Sequence, residues 1–494
     1  MSSPLNVTRL PLRLTADPQR VIARSFIPGG PLRIHAVMER VRRLSNAEVS
    51  AMLTSLVADY RTRHKDIRGI FRQHYARAIL LLDPPPEAID EERRLLLGAY
   101  FTNEYSLEAV ALFNPSMVAH PDQNGVPRGA VRFVMSLRAC GEGHISSIEF
   151  RTGIIDAAHQ VIIDAPTRFA LTARPVDDAL YDKASYTLKL REMKAYAPLA
   201  EQVLAVLDSP FTMRDLLSAI ERCRPASGLT AYKELADNML WLAHSNYELE
   251  FSPDALISER VIFPVSESES RGIEDARFVR FVHVDGRVTY YATYTAYNGF
   301  RVLPQLIETT DFRHFKINTL NGTCVQNKGM ALFPRKVGDR FLMASRLDGE
   351  NIYLLESDNI HFWNDSHLLH APKYPWEFIQ VGNCGSPIET EAGWILLTHG
   401  VGPMRQYWLG ALLLDLDDPS KVIGTLSEPL LVPNADERDG YVPNVVYSCG
   451  ALLHGDRLIV PFAVSDSHTS VATVSLSELL ARLTTPAIHP ISAR

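Results

Sequence analysis

Val131-Arg-Phe-Val-Met-Ser-Leu-Arg138, preceded by Asn114-Pro-Ser116 and followed by an apolar run at 145–150, sets a pattern that recurs along the chain. Such short runs of β-branched and aromatic residues, bounded by turn signals such as Gly125, read as strands. A unit of the same build begins at Gly272-Ile-Glu-Asp275, with runs at 288–296 and 303–308. A third begins at Lys328, with runs at 341–346 and 352–356, and a fourth at Gly382, with runs at 394–399 and 407–416. The last begins at Asn444, with runs at 458–464 and 471–476. Asp285-Gly286, Gly338-Asp339, Gly393 and Gly455-Asp456 supply turns between runs. From 251 onward the unit returns roughly every 50–60 residues with three or four strands each, the signature of a repeat architecture. Small sheets repeated about an axis make a β-propeller. A two-sheet sandwich would instead space its strands without a recurring unit.

Outside these units the pattern is helical. Ser45-Asn-Ala-Glu48 is a capping box, and Val49, Leu53, Leu56, Val57 and Tyr60 follow at helical spacing. A second helix spans 64–82 and stops at Pro84-Pro85-Pro86, and a third covers 87–98. A further block holds helices at 188–207, 213–222 and 229–243. The expected fold is therefore mainly β: a five-bladed β-propeller with an N-terminal helical extension and a helical insertion between blades 1 and 2. The boundaries are 1–106 for the extension, 107–165 for the first blade, 166–250 for the insertion and 251–484 for the remaining blades.

The composition fits an ordinary globular chain. Of 494 residues, 46% are hydrophobic and 22% charged, which excludes disordered and collagen-like classes for the bulk of the sequence. The net charge of −7, from 50 basic and 57 acidic residues, argues against a nucleic-acid partner but leaves room for a local cationic pocket. No apolar stretch approaches the about 18 residues of a membrane span, and positions 1–19 lack the apolar core of a signal peptide. Cys140, Cys223, Cys324, Cys384 and Cys449 lie far apart and form no CxxC pair. This reads as reduced thiols in a cytoplasmic protein, with no metal site.

Chemistry-bearing residues sit at the starts of the units and in the turns after their middle strands: Asn114, Arg138, Asp275, Arg301, Lys328, Arg346, His399 and Asp466. In a propeller these equivalent positions converge on the axis. Taken singly, each is an ordinary turn or strand-end residue; as a recurring set they form one site, a carboxylate among cations suited to an anionic substrate. Glu274 and Asp275 are adjacent in a strand, so they should face opposite ways, with Arg277 or Arg271 pairing the one turned away. Dinucleotide, P-loop, zincin and GxSxG signatures are absent.

Gly272-Ile-Glu-Asp-Ala-Arg277 resembles the G-[IV]-E-D-P-R signature of the β-mannoside phosphorylases and β-mannosidases of glycoside hydrolase family 130, with Ala276 in place of the proline. Other segments match that family in order: FNPS at 113–116, SLRA at 136–139, YTAYNG at 294–299 and NKGMALFPRKVGDRFLMASR at 327–346. They continue with GWILLTHGVG at 393–402, LGALLLDLDDPSKVIG at 409–424 and NVVYSCGALLHGDRLIVPFAVSD at 444–466. The likeness covers roughly 107–165 and 251–480, and it implies a five-bladed propeller. It also implies Asp275 as general acid, acting through a hydroxyl of the bound mannose, and phosphate bound by Arg138, Lys328, Arg346 and Arg301. Asn114, His399, Asp466, Tyr297 and Tyr407 would contact the sugar.

The implied reaction is inverting phosphorolysis of a β-mannoside to α-mannose 1-phosphate, with inorganic phosphate as co-substrate and no cofactor. An inverting hydrolase needs a second carboxylate to activate water, whereas phosphate is already a nucleophile and needs a cationic cradle. Lys328 and Arg346 favour phosphorolysis; a spare acid, Asp466 or Glu274, leaves a β-mannosidase as the alternative. A non-catalytic carbohydrate-binding propeller is the reading from another class. The insertion stands where it would wall the acceptor side of the pocket. The basic N-terminal helices suit contacts within a homo-oligomer.

Overall fold

A computed structural model describes residues 5–176, 178–195, 198–226 and 228–484. The protein is mainly β. A twelve-stranded sheet contains two antiparallel meanders, joined where Gly272 lies opposite Ser146. The first meander comprises Ala111–Ala119, Val131–Cys140, Ser146–Ile155 and Val161–Ile163. The second comprises Gly272–Val282, Val288–Tyr297, Val302–Thr309 and His314–Thr319. A third sheet runs Ala331–Leu332, Phe341–Ser345, Ile352–Ser357, Asp365–His370, and a fourth Gln380–Asn383, Gly393–Val401, Tyr407–Leu414, Val422–Thr425. The last holds Val446–Tyr447, Arg457–Val464 and His468–Ser475, with Val7–Leu14 paired antiparallel to His468–Ser475.

Each sheet touches the next. Val282 N–H donates to Pro334 O at 2.9 Å, Val381 N–H to Glu350 O at 2.9 Å, and Tyr407 N–H to Asn444 O at 3.2 Å. The last sheet returns to the first, with Cys449 N–H donating to Pro115 O at 2.8 Å. Apolar faces fill the joints. Phe150, Phe278, Phe312 and Phe315 pack with ring centroids 5.5–6.2 Å apart between the two meanders of the large sheet. Truncating a ring such as Phe150, fully buried, costs about 3–5 kcal/mol.

Two expectations need correction. The N-terminal segment is not purely helical: Val7–Leu14 completes the last sheet, and Val21–Ser25 pairs with Thr102–Ser106. Alternation in an edge strand of eight residues is too short a signal to stand out beside Pro4 and Pro11. Four helices follow instead of three, Pro31–Arg42, Asn46–Tyr60, Ile67–Ile79 and Glu91–Tyr100. The first opens on Gly29-Gly30-Pro31, with proline at the position where its missing N–H costs nothing. The Ser45 capping box forms, with Glu48 accepting from Ser45 N–H at 2.7 Å.

The second helical block contains Lys183–Glu192, Pro198–Ala205, Met213–Arg222 and Leu229–His244 around its own core of Tyr186, Leu190, Leu204, Phe211 and Met239. The helix expected at 188–207 crosses positions 196 and 197, which lie outside the described residues. The block leads into Tyr247–Glu250, which pairs with His314–Thr319 at the outer edge of the second meander. Four strand spacings, roughly 19 Å, separate that edge strand from the one carrying Asp275. The block therefore joins the fold away from the predicted pocket.

Candidate active site

The first strands of the two meanders are both bulged. Register slips between Phe113 and Ser116 in one and between Glu274 and Arg277 in the other. Asn114 (φ 50°) and Asp275 (φ 56°) occupy the left-handed region within those bulges. Asn and Asp tolerate that conformation better than other side chains, and a bulge re-aims the residue it carries. Asn327 (φ 64°) and Asn444 (φ 61°) adopt it just ahead of the first strands of the third and last sheets, and Asp466 (φ 49°) in the hairpin between Arg457–Val464 and His468–Ser475.

The bulge at Asp275 overturns the expectation that Glu274 and Asp275 diverge. Both carboxylates meet Arg138: Nη2 donates to Glu274 Oε1 at 2.8 Å, and Nη1 reaches Asp275 Oδ1 at 3.5 Å. Strict alternation fails because the inserted residue resets the pleat. Asn114 Nδ2 donates to Asp275 Oδ1 at 2.6 Å, and Lys328 Nζ to Glu274 Oε2 at 2.6 Å. Lys328 also lies 5.8 Å from the Tyr297 ring centroid, and Arg138 5.1 Å from that of Phe113.

Arg277 does not pair with a turned-away acid. Buried, it donates to Asp275 O at 2.9 Å, Cys384 O at 2.8 Å and Tyr447 Oη at 2.6 Å, bracing the bulge from behind. On the other side Arg346 Nη1 lies 3.3 Å from His399 Nε2. Burial, then Arg346 and Arg277, keep His399 far below the usual imidazole range, so it is neutral. Since a guanidinium can only donate, His399 accepts at Nε2 and carries its proton at Nδ1. Its ring stacks on Tyr407, with centroids 5.9 Å apart, and tilts against Tyr447 at 5.0 Å.

The two aspartates are pushed in opposite directions. Burial works against ionising Asp275, yet Arg138, then Arg277, the Asn114 hydrogen bond and Lys328 hold its carboxyl below the usual range. Asp466 goes up to about 6, through burial and then the charge of Asp275, with Arg138 and Arg405 opposing. Asn114 Oδ1, Arg138 Nε, Arg346 Nε and Asn383 Oδ1 are buried here without a hydrogen-bond partner. Orphaned buried polar atoms are costly, so several in one place mark a surface built for a polar ligand.

Asn114, Arg138, Asp275, Lys328 and Asp466 thus belong to one electrostatic cluster, with Tyr297 against Lys328, while Arg346, His399 and Tyr407 form its other wing, joined through Arg277. Arg301 is the exception. It is exposed in the turn after Tyr297, its N–H bonded to Asn298 Oδ1 at 2.9 Å, and no contact among the described residues ties its guanidinium to the cluster. A turn position says where a backbone goes, not where a long side chain ends. Tyr447 and Arg277 were missed as site residues, although both lie in the quoted motifs. Among the described residues, no group of three or more His, Cys, Asp or Glu stands where it could hold a metal ion, and no helix is long and apolar enough to cross a membrane.

A bulged strand presenting an acid to arginine and lysine, with a neutral histidine and tyrosines alongside, is an arrangement able to hold a polar ligand that carries an anionic group. The family model described as beta-1,4-mannooligosaccharide phosphorylase, Glyco_hydro_130, matches residues 252–485. A 1,2-beta-oligomannan phosphorylase of Thermoanaerobacter sp. (strain X514) is 35% identical over 225 residues, 43% of this chain and 72% of that protein. A beta-1,2-mannobiose phosphorylase of the same organism is 35% identical over 234 residues, 45% of this chain and 74% of that one. The beta-1,2-mannobiose phosphorylase of Listeria innocua serovar 6a is 31% identical over 229 residues; the match spans 45% of this chain and 63% of the relative. A solved structure of the Listeria innocua beta-1,2-mannobiose phosphorylase in complex with beta-1,2-mannobiose aligns over 77% of this chain and 93% of its own, with 21% identity and a TM-score of 0.46. The chain belongs to glycoside hydrolase family 130.

Proposed function

We propose that this protein is an inverting β-mannoside phosphorylase, a glycosyltransferase-type enzyme that cleaves a β-mannosyl disaccharide or oligosaccharide with inorganic phosphate to give α-mannose 1-phosphate. The observation that carries the reading is Asp275, held between Asn114 and Arg138 in a cluster that also contains Lys328. The names of the relatives support it. Asp275 is the general acid; Arg138, Lys328 and Arg346 bind phosphate; Asn114, His399, Asp466, Tyr297 and Tyr407 contact the sugar. Phosphate attacks the anomeric carbon, the glycosidic C–O bond breaks, and the leaving oxygen takes a proton from a hydroxyl of the bound mannose, which in turn takes the proton of Asp275. Two of the cations that keep Asp275 ionised, Arg138 and Lys328, are ones a phosphate dianion would neutralise. Its arrival beside Asp275 therefore raises the carboxyl's proton affinity at the moment a donor is needed.

The succession of sheets, the last returning to the first through Cys449 and Pro115, supports a five-bladed propeller whose axis passes through this site. The two helical blocks are additions to it, at 1–106 apart from Val7–Leu14 and at 166–250. Five free, scattered cysteines support a cytoplasmic setting, and exposed Leu32 on the first N-terminal helix, with Leu80 and Leu81 just past the end of the third, supports a homo-oligomer. The test is incubation with β-1,2- and β-1,4-mannobiose and mannosyl-glucose, with and without phosphate. Mannose 1-phosphate should form only with phosphate. Asp466 favours the one competing reading: ionised at neutral pH, it is a second carboxylate able to activate water. Free mannose released without phosphate would establish a β-mannosidase instead.

A further inference from the structure

Glu274 has no task in the reaction as described, yet it makes the two shortest ion pairs in the site. Its Oε1 accepts from Arg138 Nη2 at 2.8 Å and its Oε2 from Lys328 Nζ at 2.6 Å, with 13% of the side chain exposed. One carboxylate thus spans the two cations from which a phosphate cradle would be made, presenting a pair of oxygens as phosphate does.

The two partners are held unequally. Arg138 rises from the strand Val131–Cys140, rests on Phe113 and contacts Asp275 as well as Glu274. Lys328 follows Asn327, a residue in the left-handed region, outside any strand, and its side chain is 37% exposed. Beyond Glu274 its other neighbour is the Tyr297 ring. The Glu274–Lys328 pair is therefore the one that opens at the lower cost.

From this geometry we infer that Glu274 is a built-in competitor for the phosphate site: it occupies Arg138 and Lys328 at rest and yields Lys328 when phosphate binds. The inference rests on the phosphorylase reading and adds to it a source of anion selectivity. A monoanion gains little by displacing a carboxylate already in contact, whereas a phosphate dianion brings twice the charge. The protein accepts weaker phosphate binding in exchange for a cradle that chloride and small carboxylates do not fill.

The test is titration calorimetry of inorganic phosphate into the full-length wild-type protein and into Glu274→Gln. Removing the competing charge should tighten phosphate binding roughly tenfold and make chloride an inhibitor. Binding that weakens or stays the same would overturn the inference, because it would make Glu274 a brace that orders the two cations. Should the variant fail to fold, wild-type crystals soaked in phosphate decide the matter. Phosphate between Arg138 and Lys328 with Glu274 off Lys328 supports the proposal, and intact Glu274 pairs refute it. Calorimetry needs no turnover, so an absence of mannose 1-phosphate would sink the phosphorylase reading separately.

Discussion

Two clusters in this molecule are made from the same ingredients, arginines and carboxylates in mutual contact. In one, Arg20 lies 3.1 Å from Glu108 and 2.7 Å from Glu149, and Arg151 lies 2.5 Å from Glu108 and 3.3 Å from Glu149. All four are buried, and the spare donors of Arg20 go to Thr167 O and Ser258 O. Burial and Glu149 push the Glu108 carboxyl up, while Arg20 and Arg151 hold Glu149 ionised despite its burial. The quartet ties the N-terminal segment to the first meander, and its carboxylates leave one oxygen, Glu149 Oε1, unpartnered. Around Asp275 the same chemistry is left open. Lys328 is partly exposed, the backbone is bulged, and Asn114, Arg138, Arg346 and Asn383 each keep a buried polar atom unpaired. Residue type does not separate a structural ion cluster from a binding site; unmet hydrogen-bonding capacity facing a shared space does.

If that contrast holds, damage to the two clusters should appear in different measurements. The largest effect is expected from Arg151→Met, which leaves Glu108 and Glu149 to share Arg20 as their one buried countercharge. Chemical denaturation should show a loss of about 3–5 kcal/mol, while kcat per folded molecule is preserved; a loss below about 1 kcal/mol would erase the distinction. Asp275→Asn should do the reverse, lowering kcat at least ~10²-fold with the unfolding midpoint nearly unmoved. Near-full activity in that variant would remove Asp275 as the acid. Lys328→Met should raise the KM for phosphate roughly tenfold, the worth of one charge-assisted hydrogen bond, and leave the mannoside KM close to wild type.

The smallest effect is a matter of pH. With its pKa lifted to about 6, Asp466 is neutral below that pH and ionised above it. Only the carboxylate accepts hydrogen bonds from sugar hydroxyls with both oxygens. The kcat/KM for the mannoside should therefore rise severalfold as pH climbs through about 6, and Asp466→Asn should flatten the profile. A wild-type profile without that inflection would place Asp466 outside the sugar site.

Much of this was readable from residues alone. The strand runs at 131–138, 288–296 and 458–464 fall inside observed strands because period-2 patterning with β-branched and aromatic residues is a local property. The Ser45–Glu48 cap is equally local. Asn114, Arg138, Asp275 and Lys328 could be picked out because each recurs at one place in its unit. Strand Val7–Leu14 escaped because its partner lies more than 450 residues away, and nothing within eight residues announces such pairing.

Chain order and residue type were thus enough to mark strands of the repeated units and the polar side chains at their ends, since both follow from short-range sterics and from the burial of apolar faces. The meeting of Glu274 with Asp275 on one arginine, the bracing of the bulge by Arg277 and the departure of Arg301 arose in the assembled molecule. The first two depend on a backbone slip or on a partner a hundred or more residues away, and the energy of such contacts exists only once the sheets have closed on one another.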